Sequence, residues 1–156
     1  MGRSFAGSAD ATGLRFGIIA SRFNDDIVAG LMDGAFDCLE RHGASNDDIT
    51  LYRVPGAFEI PMLARVIADK HDAVITLGCL LRGDTPRFDF ISAQVTNDLS
   101  RVAVDTRSAI AFGVITCNTM EQAVARSSRG TGNKGWEAAL AAIEMANLLK
   151  SIGHGR

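Results

Sequence analysis

Three short polar segments carry the side chains best suited to chemistry: Arg22-Phe23-Asn24-Asp25, Gly56-Ala57-Phe58-Glu59 and Arg82-Gly83-Asp84-Thr85. Each directly follows a run that reads as a strand. A strand that ends in a polar turn and then starts a helix is where α/β proteins place ligands. The third segment offers a cation, a flexible glycine and backbone N–H groups ahead of a helix, which together can hold an anion such as phosphate. An ordinary strand-to-helix loop with a solvated arginine accounts for the same residues, and the shape of the segment does not choose between them.

Other chemistry is excluded by spacing. His42, His71 and His154 are isolated and form no metal-ligand pattern with cysteines or carboxylates, so no metal site is expected. Cys38, Cys79 and Cys117 are odd in number, far apart and set among apolar residues, as reduced core thiols are. Gly130 to Gly135 matches the glycine spacing of a dinucleotide loop, but it follows a short helical pattern instead of a strand and lacks the context that motif needs. It reads as a joint between helices, with Lys134 either solvated or aimed at the neighbouring sheet end.

The elements that position these segments alternate. Leu14 to Ala20 is a strand; Asn24 or Asp25 caps a helix that runs to about His42 and stops at Gly43, with Ile27, Leu31, Gly34 or Ala35, Cys38 and Leu39 inward. Asp48 to Val54 is the second strand, broken by Pro55-Gly56. A helix follows from Ala57 or Phe58 to about Lys70, with Pro61 in its first turn. Asp72 to Leu81 is almost continuously apolar, as a central parallel strand is, and leads to a helix from about Arg87 to Thr106 that buries Phe88, Ile91, Val95, Leu99 and Val102. Ala109 to Thr116 is the fourth strand. Thr119 and Gln122 start a short capping-box helix to about Ser127, and a last helix runs to about Ile152 with apolar residues on several faces, more than one small sheet can cover.

Right-handed crossovers between four strands give a three-layer α/β/α sandwich with a flavodoxin-like parallel sheet. An order of 2-1-3-4 puts the switch point between strands one and three, where the three polar segments would line one crevice. With 156 residues, 47% of them hydrophobic, and a net charge of −2, the chain suits one soluble domain with no basic footprint for nucleic acid. Residues 14–152 would form it, after a flexible arm of residues 1–13, ordered if at all against another subunit, and before a tail of residues 153–156. No apolar run approaches the ~20 residues of a membrane span and no secretory signal opens the chain, so the expected compartment is the cytoplasm.

The residues also carry a resemblance. Arg22-Phe23-Asn24, Val54–Pro61 (VPGAFEIP), Gly78 with Arg82-Gly83-Asp84-Thr85, Phe88-Asp89, Phe112-Gly113-Val114, Glu121-Gln122-Ala123, Gly132–Gly135, Glu137-Ala138-Ala139 and Glu144–Asn147 resemble the 6,7-dimethyl-8-ribityllumazine synthase family in one register from about residue 14 to 150. That resemblance implies condensation of 5-amino-6-ribitylamino-uracil with 3,4-dihydroxy-2-butanone 4-phosphate, without a cofactor. It implies that Phe23 stacks on the pyrimidine; that Asn24, Ala57, Phe58 and Glu59, with backbone near Leu80 and Leu81, hold the heterocycle and its ribityl chain; and that Lys134 lies nearby. Gly83, Asp84 and Thr85 would bind the leaving phosphate, joined by Arg126 from a neighbouring subunit that also lends Phe112. The family implies a pentamer, with a sixty-subunit shell expected from the short joint before the last helix, and riboflavin synthase as a possible partner.

One position departs. The family usually has histidine where this chain has Arg87, and that histidine is the residue given the proton-transfer role. A guanidinium cannot act as a base, although it can stabilise an oxyanion or phosphate. The expectation is a slower enzyme; a non-catalytic heterocycle-binding scaffold is the alternative, and a riboflavin synthase of the archaeal type is disfavoured by the retained phosphate turn and Arg126.

Overall fold

A computed structural model describes residues 2–130 and 132–154. Met1, Thr131 of the joint before the last helix, and Gly155 and Arg156 of the expected tail lie outside the described residues. The elements are β1 (Phe16–Ser21), α1 (Asp25–Arg41), β2 (Ile49–Val54), α2 (Ile60–Ile67), β3 (Ala73–Leu81), α3 (Arg87–Thr106), β4 (Ala109–Cys117), α4 (Met120–Ser127) and α5 (Lys134–Ser151). Short 3-10 turns over Ala57–Glu59 and Ala68–Lys70 flank α2. The sheet is parallel in the order β2-β1-β3-β4, as the alternation of elements predicts.

All six residues of β1 are buried, because it has a neighbour on each side and a helical layer on each face. Phe16, Ile18 and Ala20 face the core shared with α1 and α5; Ile19 faces the core shared with α2 and α3. Each large side chain sealed in this way stabilises by roughly 1.5–3 kcal/mol. The ion pairs Arg41–Asp37, Arg53–Asp25 and Lys134–Glu137 are largely solvated, at about 0–1 kcal/mol each. Burial of the sheet therefore holds the site's platform, not surface charge.

The two helices α1 and α5 lie unusually close. A Cβ on Gly135 would meet the Leu31 carbonyl, one on Gly34 the Asn133 side chain, and one on Gly30 the Ser127 carbonyl. This explains why α5 buries mostly small residues, Ala138, Ala139, Ala142 and Ala146, around Ile143. The surplus apolar surface expected on the last helix is correspondingly limited to Met145 and Ile152. Most of it lies on the opposite layer and the β4 edge, at Phe58, Met62, Val66, Phe90, Val104 and Phe112.

The end of the arm packs on its own chain. Ala11 is buried and donates its N–H to the His42 carbonyl at 2.8 Å, while Asn147 Nδ2 donates to the carbonyls of Ser8 (2.9 Å) and Asp10 (2.8 Å). Between Ser8 and Leu14 the arm is thus bonded to the end of α1 and to α5 of its own chain.

At the amino end of the sheet, the His71 ring lies against Gly17, where a Cβ would come within 2.8 Å of it, and Nε2 pairs with the Tyr52 hydroxyl at 2.9 Å. Burial and the nearby Arg15 and Lys70 hold its pKa below the usual 6.5, against the opposing pull of Asp72. Folded His71 is therefore neutral where unfolded His71 is protonated, and stability should fall as pH drops below 6.5. Thermal melts at pH ~7.5 and ~5.5 should show a larger acid loss for the native chain than for His71→Gln, whose side chain does not titrate. Equal losses would exclude His71 as a source.

Candidate active site at the carboxyl ends of the strands

The crevice begins where β1 runs out. Arg22 donates its backbone N–H to Val54 O (2.8 Å) and Phe23 to Pro55 O (3.1 Å), so the pairing with β2 continues past both strands and carries Phe23 beyond the sheet. Phe23 is 72% exposed. Asn24 then takes a left-handed conformation, φ 59°, and its Nδ2 donates to Cys79 O of β3 at 2.9 Å. The sequence suggests Asn24 or Asp25 as the cap of α1; Asn24 occupies the cap position, but its side chain makes no capping bond and instead ties the exits of β1 and β3 together. The first turn of α1 is complemented instead by Asp25 and Asp26.

From β2, Gly56 N donates to Glu59 Oε1 at 3.0 Å, which folds the Glu59 carboxylate back over the turn and leaves a second oxygen as an acceptor. Phe58 is exposed beside it. Ala57 is buried in the α2–α3 core, so it offers the crevice backbone only.

From β3, Leu80 and Leu81 are half-buried, followed by an exposed turn of Gly83, Asp84 and Thr85. A Cβ on Gly83 would meet no atom within 4 Å, so the backbone there is open to a ligand. Thr85 Oγ1 accepts from Arg87 N at 3.4 Å. Arg82 does not present a free cation to this turn: Asn118, Asp89 and the Phe88 ring engage its guanidinium. Arg87 is exposed in the first turn of α3, a cation at the helix end that attracts anions.

One chain therefore brings together Phe23, Asn24, Ala57, Phe58, Glu59, Leu80, Leu81, Gly83, Asp84, Thr85 and Arg87. It does not bring Phe112. Register aligns Phe112 with Thr76 and Thr76 with Ile19, so Phe112 lies two strands across and four residues back from Phe23, about 10 Å and about 13 Å by strand geometry. Arg126 ends α4, where its Nη1 donates to Gln122 O at 3.1 Å. Lys134 starts α5 and pairs with Glu137 Oε2 at 2.7 Å. Arg126 and Lys134 form one unit, because Asn133 Nδ2 donates to Ser127 O (3.1 Å) and to Gly30 O (3.1 Å) while its Oδ1 caps α5 at Trp136 N (3.0 Å). Asn133 is a structural hub that sequence reasoning missed; the Gly30 and Gly34 pair on α1 is the signal that something approaches there.

Among the described residues the thiols are buried and the imidazoles lie away from the crevice. Burial pushes the Cys38 thiol up to about 12 and Cys79 up to about 11, assisted by Asp37 and Cys117 respectively, so both stay protonated. His42 follows α1, His71 precedes β3, and His154 Nε2 lies 2.8 Å from Arg107 O, all at the opposite end of the sheet. A groove of about 750 Å³ between α1 and the α4–α5 joint shares none of the candidate residues.

Comparison with known proteins bears on the family of the chain. A sequence model for 6,7-dimethyl-8-ribityllumazine synthase matches residues 13–150. The chain is 54% identical to the protein of that name from Aquifex aeolicus, over 95% of this chain and 97% of that one. It is 51% identical to that of Syntrophus aciditrophicus (91% and 94% covered) and 49% identical to that of Chlorobium phaeobacteroides (96% and 98%). By these similarities, with the strand order in agreement, the chain belongs to the 6,7-dimethyl-8-ribityllumazine synthase family.

Proposed function

We propose that this chain is a transferase of riboflavin biosynthesis, condensing 5-amino-6-ribitylamino-uracil with 3,4-dihydroxy-2-butanone 4-phosphate to 6,7-dimethyl-8-ribityllumazine and releasing phosphate and water. The observation that carries the reading is the meeting of three strand exits in a member of this family: an uncovered aromatic, a carboxylate with a spare acceptor, and an open glycine turn. Phe23 stacks on the planar pyrimidine. Glu59 accepts from the ribityl hydroxyls through the oxygen that Gly56 leaves free. Gly83, Asp84 and Thr85 receive the phosphate through N–H and hydroxyl groups, with no cofactor.

Phe112, Arg126 and Lys134 are lent by a neighbouring chain. The register that separates Phe112 from Phe23 supports this, as does the apolar surface of the α2–α3 layer, which a second copy would cover. The assembly is a pentamer, and twelve pentamers close into a sixty-chain shell. Its partners are the two substrates and copies of itself, with riboflavin synthase taking the product in the cytoplasm; among the described residues no helix is long and apolar enough to cross a membrane. Light scattering should return the mass of sixty chains. A five-chain mass would remove the shell and leave the shared site, whereas an active monomer would remove both.

Arg87 sets the rate. A positioned acid-base group contributes typically 10²–10⁴-fold, whereas holding two reactants in place supplies about 7–11 kcal/mol of the barrier. An amine and a ketone that carries its own phosphate depend chiefly on the second effect, so the chain works without a histidine there. Arg87→His should raise turnover at saturating substrates by about one to two orders of magnitude. A loss would show that Arg87 serves as a phosphate or oxyanion ligand, and no turnover by either form would support the scaffold reading.

A further inference from the structure

We propose that Arg82 is a positioning residue, a clamp that pre-orders the phosphate turn without touching the phosphate; this rests on Gly83–Thr85 being that turn. The turn has little support of its own. Gly83 to Pro86 are exposed, and the bond that the Thr85 hydroxyl accepts from Arg87 N is long, at 3.4 Å. Arg82 grips the turn at both ends. Its backbone N–H donates to Cys117 O at 3.0 Å, extending the β3–β4 pairing one residue past Leu81, and its Nε donates to Asn118 Oδ1 at 2.9 Å. Across the turn, Nη1 reaches both carboxylate oxygens of Asp89 in the first turn of α3, at 3.1 and 3.3 Å. The guanidinium carbon Cζ lies over the Phe88 ring, 4.5 Å from its centroid. The strand exit and the helix start are thereby held at a fixed separation, and the segment between them is held with them.

The anchor is itself anchored. Asn118 N donates to Gln122 Oε1 at 2.8 Å, Gln122 N donates to Thr119 Oγ1 at 3.2 Å, and Gln122 O accepts from Arg126. One network thus runs from the turn that takes phosphate in a chain's own crevice to the arginine that the chain lends to its neighbour. A mobile turn would have to be ordered each time phosphate binds, at a cost in affinity, and a clamp removes that cost beforehand. The clamp needs a planar fork with donors at fixed angles and a flat face for Phe88; an ammonium has the charge but neither feature.

That difference separates a clamp from a ligand. Steady-state kinetics with each substrate varied in turn should be measured for Arg82→Lys, Arg82→Gln, Asn118→Ala and Thr85→Ala. Arg82→Lys and Arg82→Gln should both raise KM for the butanone phosphate by about tenfold, leaving KM for the pyrimidine within about twofold. Asn118→Ala, which keeps the arginine's charge, should raise the same KM in the same direction by a smaller factor. A native KM in Arg82→Lys beside a raised one in Arg82→Gln would make Arg82 a charge acting on phosphate and overturn the clamp. Equal rises in both KM values would overturn it too, since a damaged fold does not select one substrate. If Thr85→Ala leaves the butanone phosphate KM unchanged, the phosphate turn is misassigned and the clamp falls with it; if Thr85→Ala is impaired while Arg82→Lys is native, the clamp alone falls.

Discussion

The carboxyl end of the sheet depends on β1 pairing in parallel with a neighbour on each side, while the helices that follow β1 and its two neighbours leave to opposite faces. α1 covers one face and α2 with α3 the other; β1 and β2 end level, at Ser21 and Val54, and β3 runs on to Leu81, three residues past that level. The Asn24 side chain closes the gap between β1 and β3 from above. It can do so because Asn tolerates the left-handed conformation that turns the chain sharply from strand into helix. Remove that tie and Phe23, Glu59 and the glycine turn still lie on the same sheet end, but no longer at fixed distances.

Most of the scaffold was legible in the sequence because its signals are local. Continuous apolar character over β3, alternating elements, Pro61 at a helix start and Gly43 past a helix end each follow from backbone sterics and burial. What was not legible depends on pairs of residues far apart. Asn24 looks like a helix cap because Asn often is one; only the register between β1 and β3 reveals Cys79 O as its acceptor. Arg82 looks like a ligand for phosphate because it precedes a glycine turn; only the parallel pairing of Leu81 with Cys117 puts Asn118 beside it. The apolar stripes of α5 suggested a contact surface, yet alanines and Gly135 let α1 approach and cover much of it.

The same register sets Phe112 apart from the rest of the proposed site. Phe23, Glu59 and the glycine turn stand at the end of the sheet, whereas Phe112 lies back along the edge strand and Arg126 and Lys134 ride on the α4–α5 unit that Asn133 fastens to α1. No side-chain rotation spans a separation of two strands and four residues. A pocket that uses both groups is made by two chains, and the enzyme is then inseparable from its assembly.

Complementation between two defective chains tests that claim most directly. One chain would carry Phe23→Ala with Glu59→Ala, the other Phe112→Ala with Arg126→Ala, each inactive alone, and the two would be coexpressed in equal amounts. If each pocket takes one half from each of two adjacent chains, random mixing leaves about a quarter of the sites intact, and lumazine formation should recover to about a quarter of the native rate. A mixture no more active than the sum of its separate components would place the whole site within one chain and contradict the account.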